Sequence, residues 1–138
     1  MRDAVLLKNG PLTEEEYTEI KRHPAEGEKI LSAYTEFRNI LPFVRSHHER
    51  YDGKGYPDGL AGSDIEIGAR IMAVADSFDA MVSNRAYRRG LSLDVALDEI
   101  RRNSGTQFDG DVVAALERIT EKMGMQTFAD TFCSHQNN

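Results

Sequence analysis

His47 and His48 stand side by side, and residues 47–57 add Glu49, Asp52 and a Gly55-Tyr56-Pro57 turn. Two imidazoles with carboxylates nearby suit iron, manganese or zinc better than calcium, which prefers oxygen donors. Adjacent residues of a helix point about 100° apart, so both rings reach one point only if the helix ends there or an ion sits between them. The glycines at 53, 55, 59 and 62 supply that ending. His23, just before Pro24, offers a third imidazole. A plainer reading competes for all three, because an imidazole near a helix C-terminus offsets the helix dipole. His135, in a polar stretch near the end of the chain, reads as solvated.

Asp76 is the sharpest carboxylate, set in the mostly apolar run Ile71-Met72-Ala73-Val74-Ala75-Asp76-Ser77-Phe78-Asp79-Ala80-Met81. A charge there is costly unless it is paired, hydrogen-bonded or bound to metal. Asp79 follows one turn later and shares a stripe with Met72 and Ser83, which reads equally well as the wet side of an amphipathic helix. Asn84-Arg85-Ala86-Tyr87-Arg88-Arg89 comes next, and guanidinium forks match phosphate oxygens. Basic residues near a helix C-terminus are also ordinary dipole partners. Taken together, the residues favour metal-assisted phosphoester hydrolysis, with metal acidifying water and arginines neutralising phosphate. No serine-nucleophile motif, Walker-type loop or dinucleotide fingerprint competes.

The elements that must position these residues are helical throughout. Thr13 followed by Glu14, Glu15 and Glu16 predicts a capped helix to about Arg22, and Pro24 opens the next, with Ile30, Leu31 and Tyr34. A third helix is expected over about 37–48, with Ile40, Leu41 and Val44 on one face, and a loop over 50–63. Ser63 or Asp64 is expected to cap the longest helix, 64–83, with Ile67, Ile71, Val74, Ala75, Phe78 and Val82 as its core face. Ser92 opens a helix with Leu93, Leu97 and Ile100 that ends at Asn103-Ser104-Gly105; Asp109 opens the last, with Val112, Leu116, Ile119 and Met123. No strand-like alternation is sustained. The expectation is an all-α bundle of about six helices in one domain, 1–125, with a C-terminal tail, 126–138.

At 138 residues, 40% hydrophobic and 29% charged, the chain suits one compact domain. Its net charge of -6 argues against a nucleic acid polymer as the main partner but leaves a small phosphate ligand open. No apolar run approaches membrane-spanning length, and the first eight residues make a poor signal peptide, so no membrane partner and a cytoplasmic location are expected. A single Cys133 leaves no intrachain disulfide.

Leu6-Leu7-Lys8 with Gly10-Pro11-Leu12-Thr13, Arg22-His23-Pro24, His47-His48-Glu49-Arg50, Asp52-Gly53, Gly55-Tyr56-Pro57, Gly68-Ala69-Arg70-Ile71, Ala75-Asp76 and Phe78-Asp79-Ala80 fall in a recognisable order. Arg85, Tyr87, Arg88, Gly105-Thr106 and Phe108-Asp109 continue it. The pattern resembles the HD-GYP family, HD-type metal-dependent phosphohydrolases that cleave the bacterial messenger cyclic di-GMP. The resemblance implies a helical HD-domain fold and a divalent transition metal, iron or manganese, held by His23, His47, His48 and Asp76. It implies phosphate contacts from Arg85 and Arg88, with Asp79 nearby and Gly55, Tyr56 and Pro57 shaping the loop beside cyclic di-GMP.

Asn84, Ala86 and Gly110 depart from the aspartate and prolines usual in the family. The family's His-Asp dyad lies just upstream of the segment matching Arg2-Asp3-Ala4, where this sequence begins. The expectation is therefore an N-terminally truncated domain holding one ion or none, with impaired hydrolysis. The alternative is a non-catalytic module that binds cyclic di-GMP or docks on a signalling-protein partner. Apolar surface left by the absent helices would favour a homo-oligomer.

Overall fold

The computed structural model describes residues 13–83, 89–124 and 127–128. These contain six α-helices and two 3-10 turns and no strand, only two isolated bridges. The all-α expectation holds for the described residues. The chain divides into two compact units, Met1–Ala73 and Val74–Asn138.

In the first unit, α1 (Glu14–Ile20) begins at the predicted capping box: Thr13 Oγ1 accepts from the Glu16 N–H at 3.3 Å, and Glu16 Oε2 accepts from the Thr13 N–H at 2.8 Å. A short turn leads to α2 (His23–Leu31), whose Pro24 is fully buried. The single helix expected over 37–48 is instead a 3-10 turn, Thr35–Ile40, followed by α3 (Leu41–Ser46). Pro42 accounts for the break, since it has no N–H to give and its ring crowds the preceding turn. α3 lies close on α2: a methyl group at Gly27 would come within 3.3 Å of Val44.

Helix α4 (Ile67–Val82) starts later than expected, because Ser63 and Asp64 belong to a 3-10 turn, Gly62–Asp64. Ile65 is then buried in extended conformation, and Glu66 takes over the capping, its Oε2 accepting from the Gly68 N–H at 2.6 Å. The expected core stripe is also corrected. Val74 and Phe78 are buried, but Ile67 and Ile71 are 48% and 51% exposed and Ala75 is exposed. The helix changes its buried side along its length. Early on it buries Ala69 and brings Gly68 so near the Phe43 ring that a methyl group would sit at 2.8 Å. At 100° per residue, Ala69 and Val74 point about 140° apart, so no single stripe serves both.

In the second unit, Val74, Phe78, Ala96, Leu97, Ile100, Phe108, Val113 and Phe128 form one core cluster. Helix α5 (Leu93–Arg102) starts at Ser92, and α6 (Gly110–Met123) at Asp109, whose carboxylate accepts from the Asp111 N–H at 2.9 Å, both as read from the sequence. Ile119 and Met123 are exposed, and Val113 replaces them in the core. Phe128, in the stretch assigned to the tail, is buried with its ring 5.8 Å from Phe78.

Candidate metal centre

Three imidazoles converge in the first unit. His23 stands at the start of α2, and His47 and His48 follow the last turn of α3. Their candidate ligand atoms all lie within 4.8 Å of one another. His23 Nε2 is 3.1 Å from His48 Nε2 and 3.4 Å from His47 Nε2. The outer nitrogens are occupied: Nδ1–H of His23 donates to the Ile20 carbonyl at 2.6 Å, and Nδ1–H of His47 to the Val44 carbonyl at 2.8 Å. In the neutral rings this selects the Nδ1–H tautomer and leaves the Nε2 lone pairs facing inward.

Two lone pairs facing each other are repulsive unless a cation or proton stands between them. Nitrogens bound to one ion at about 2.1 Å would be about 3.0–3.4 Å apart for angles between octahedral and tetrahedral. The 3.1 and 3.4 Å separations from His23 match, so the donor set fits a transition metal. His48 is held in the neutral, ligand-competent form, its pKa pushed down to about 4 by burial and by the neighbouring His47 and His23.

The Gly55-Tyr56-Pro57 turn is built against this cluster. Gly55 passes so close to the chain at His48–Arg50 that a methyl group would lie 2.3 Å from the Arg50 nitrogen. The Tyr56 N–H donates to the His48 carbonyl at 3.2 Å. The Tyr56 ring stacks on His48, centroids 4.9 Å apart at 23°, and burial pushes its phenol up to about 12. The Tyr56–Pro57 peptide is cis.

Glu49 anchors the chain just beyond Pro57. It is 3% exposed and accepts from the backbone N–H groups of Asp58 (2.7 Å), Gly59 (3.1 Å) and Leu60 (3.1 Å). Arg45 clamps the same turn from α3, bidentate to Asp58 at 2.6 and 2.8 Å, and reaches Glu28 on α2 at 2.7 Å.

The remaining sequence-based candidates belong to the second unit or lie outside the described residues. Asp76 is exposed on α4 and belongs to the second unit, so the burial cost that singled it out does not apply. Asp79 is exposed too and accepts from Ser83 Oγ at 3.2 Å. Arg85 and Arg88 lie outside the described residues. No helix among the described residues is long and apolar enough to cross a membrane.

The family model described as HD domain matches residues 3–112 of this chain. The chain belongs to the HD-domain family. The HD-GYP resemblance of its motifs agrees with the relatives of this HD domain. It is 48% identical over 118 residues to the cyclic di-GMP phosphodiesterase response regulator RpfG of Xanthomonas campestris, covering 84% of this chain and 31% of that protein. It is 40% identical over 127 residues to a cyclic di-GMP phosphodiesterase of Vibrio cholerae, covering 87% of this chain and 26% of that protein. A crystal structure of a cyclic GMP-AMP-specific phosphodiesterase of V. cholerae (V-cGAP3) has a similar fold, with a TM-score of 0.65 at 21% identity, covering 91% of this chain and 30% of that one. The chain thus spans about a quarter to a third of the length of the relatives it matches.

Sequence reasoning passed over two residues of this HD domain. Glu49 was visible only as part of a motif, and its signal was a carboxylate directly after two ligand-type residues and before a glycine-rich turn. Tyr17 gave no signal; its ring meets Tyr56 edge-on at 6.5 Å.

Proposed function

We propose that this HD domain hydrolyses a phosphodiester bond of a cyclic purine dinucleotide such as cyclic di-GMP, using a divalent transition metal, iron or manganese, held by His23, His47 and His48. The observation that carries this reading is the convergence of three Nε2 atoms, two of them on rings whose Nδ1–H is tied to a backbone carbonyl. In this reading Asp76 joins the ligand set, Arg85 and Arg88 take the phosphates with Asp79 beside them, and Gly55, Tyr56 and Pro57 line the substrate loop.

The chemistry a divalent ion supplies here is acidification of water and neutralisation of phosphate charge. The chain's own residues prepare for it. The Ile20 and Val44 carbonyls hold the rings of His23 and His47 in register, so little reorganisation is needed on binding. Tyr56 covers one face of His48 and stays a neutral phenol, which keeps water and competing charge away from that ligand. Glu49 and Arg45 fix the turn that carries Tyr56.

The test is hydrolysis of cyclic di-GMP by this chain with manganese or ferrous iron, with metal content measured on the same sample. Turnover that His47→Ala lacks is the expected result. Binding without turnover would leave a ligand-binding module, and neither binding nor turnover would overturn the reading.

A further inference from the structure

We infer that Tyr17 and Lys21 form a wall that stacks a purine base and neutralises a phosphate of the substrate beside the histidine cluster; this rests on the cyclic dinucleotide reading above. The cluster does not end at the imidazoles. Tyr56 stacks on His48 at 4.9 Å, Tyr17 meets Tyr56 edge-on at 6.5 Å and 78°, and Lys21 Nζ lies 4.4 Å over the Tyr17 ring. An unbroken file of rings therefore leads from a candidate metal ligand out to solvent and ends in a cation.

The outer end is not a core contact. Tyr17 is 44% exposed, and helix α1 buries none of its residues fully. It is nonetheless well placed: the capping box fixes one end of α1, and the Lys21 N–H donates to the Tyr17 carbonyl at 3.0 Å at the other. A cyclic purine dinucleotide with one phosphate at the imidazoles has two flat bases and a second phosphate to place nearby. Aromatic rings stack on any base, and an ammonium held beside such a ring can meet a phosphate as a point charge.

The experiment measures calorimetric affinity of the manganese-loaded chain for cyclic di-GMP and, separately, for inorganic phosphate. Tyr17→Ala and Tyr17→Leu should each weaken cyclic di-GMP binding by about tenfold, and Tyr17→Phe should leave it near wild type. Lys21→Met should weaken it by about threefold. Phosphate affinity and metal content should stay unchanged in the three Tyr17 variants. Tyr17→Leu keeps apolar bulk without a flat ring, so it decides the matter if Tyr17→Ala misfolds. Unchanged cyclic di-GMP affinity in Tyr17→Leu would overturn the inference. So would a parallel loss of phosphate affinity or metal, which would mean that Tyr17 only props Tyr56. A metal-loaded wild type that binds no cyclic di-GMP would instead bring down the hydrolysis reading, and this inference with it.

Discussion

In the first unit Glu49 and Ser46 are buried, as are Pro24, Ile65 and Ala69, whereas in the second unit eight apolar side chains, Phe78 and Ile100 among them, form one cluster, with Asp109 and Thr120 buried as well. The two solve different problems. An apolar cluster gains free energy from area alone and tolerates small shifts of its members. A centre that must present nitrogen lone pairs to an ion has to fix ring directions, and only directional bonds do that. Hence the first unit commits its half-buried imidazoles to carbonyl contacts and its buried Glu49 to backbone N–H groups, and its shape depends on few partners. Single substitutions should therefore affect ligand binding in the first unit and global stability in the second.

Removing a ligand should have the largest effect. His47→Ala should lower metal affinity by more than the about 10- to 100-fold typical of changes to outer partners, while the unfolding midpoint of metal-free protein moves little. Metal analysis after dialysis and denaturant titration check the two halves of this statement. Retained metal would remove His47 from the ligand set.

The mirror experiment is Phe78→Ala, expected to cost about 3–5 kcal/mol in urea unfolding through the cavity it leaves, with metal bound per folded chain unchanged. Equal loss of metal would mean that the units do not divide their labour in this way.

Glu49→Gln lies between the two. It keeps the shape but sets an NH2 group against backbone donors, and should cost about 1–3 kcal/mol. It should also weaken metal binding, because the turn it holds carries the ring that covers His48.

Much of this contrast is legible in the sequence alone. Thr13, Ser92 and Asp109 act as the caps their types and positions announce, because a cap is a local arrangement between one side chain and the next turn. The grouping of His23 with His47 and His48 came from the family resemblance, since spacing alone left a helix-dipole reading open. What the sequence hid is non-local. The sharing of α4 between two buried faces moved Ile67 and Ile71 to solvent, although their helical spacing is perfect. Pro42 sat inside an apolar run that otherwise promised one helix. Glu49 binds residues 58–60, a partnership no helical or strand period encodes.

The smallest predicted effect concerns the loop's partly exposed pair, Arg50 and Asp52, joined at 3.0 and 2.8 Å. The hydrogen bond from Arg50, helped by the Lys54 N–H, pushes the Asp52 pKa down to about 2. Because the folded value lies below the ordinary one, the folded state holds fewer protons here than the unfolded state between about pH 4 and pH 2. The pair's contribution is then fully present above pH 4 and is lost as pH falls through that window. Following the Asp52 carboxyl carbon by NMR should show a midpoint near 2 in the native chain and a higher one in Arg50→Ala, where only the Lys54 contact is left to lower it. Global stability at pH 7 should hardly change in that variant, as for most solvent-screened ion pairs. A large loss at pH 7 would mean that the loop depends on this pair as well as on Glu49, and the first unit would then be more evenly braced than its buried groups suggest.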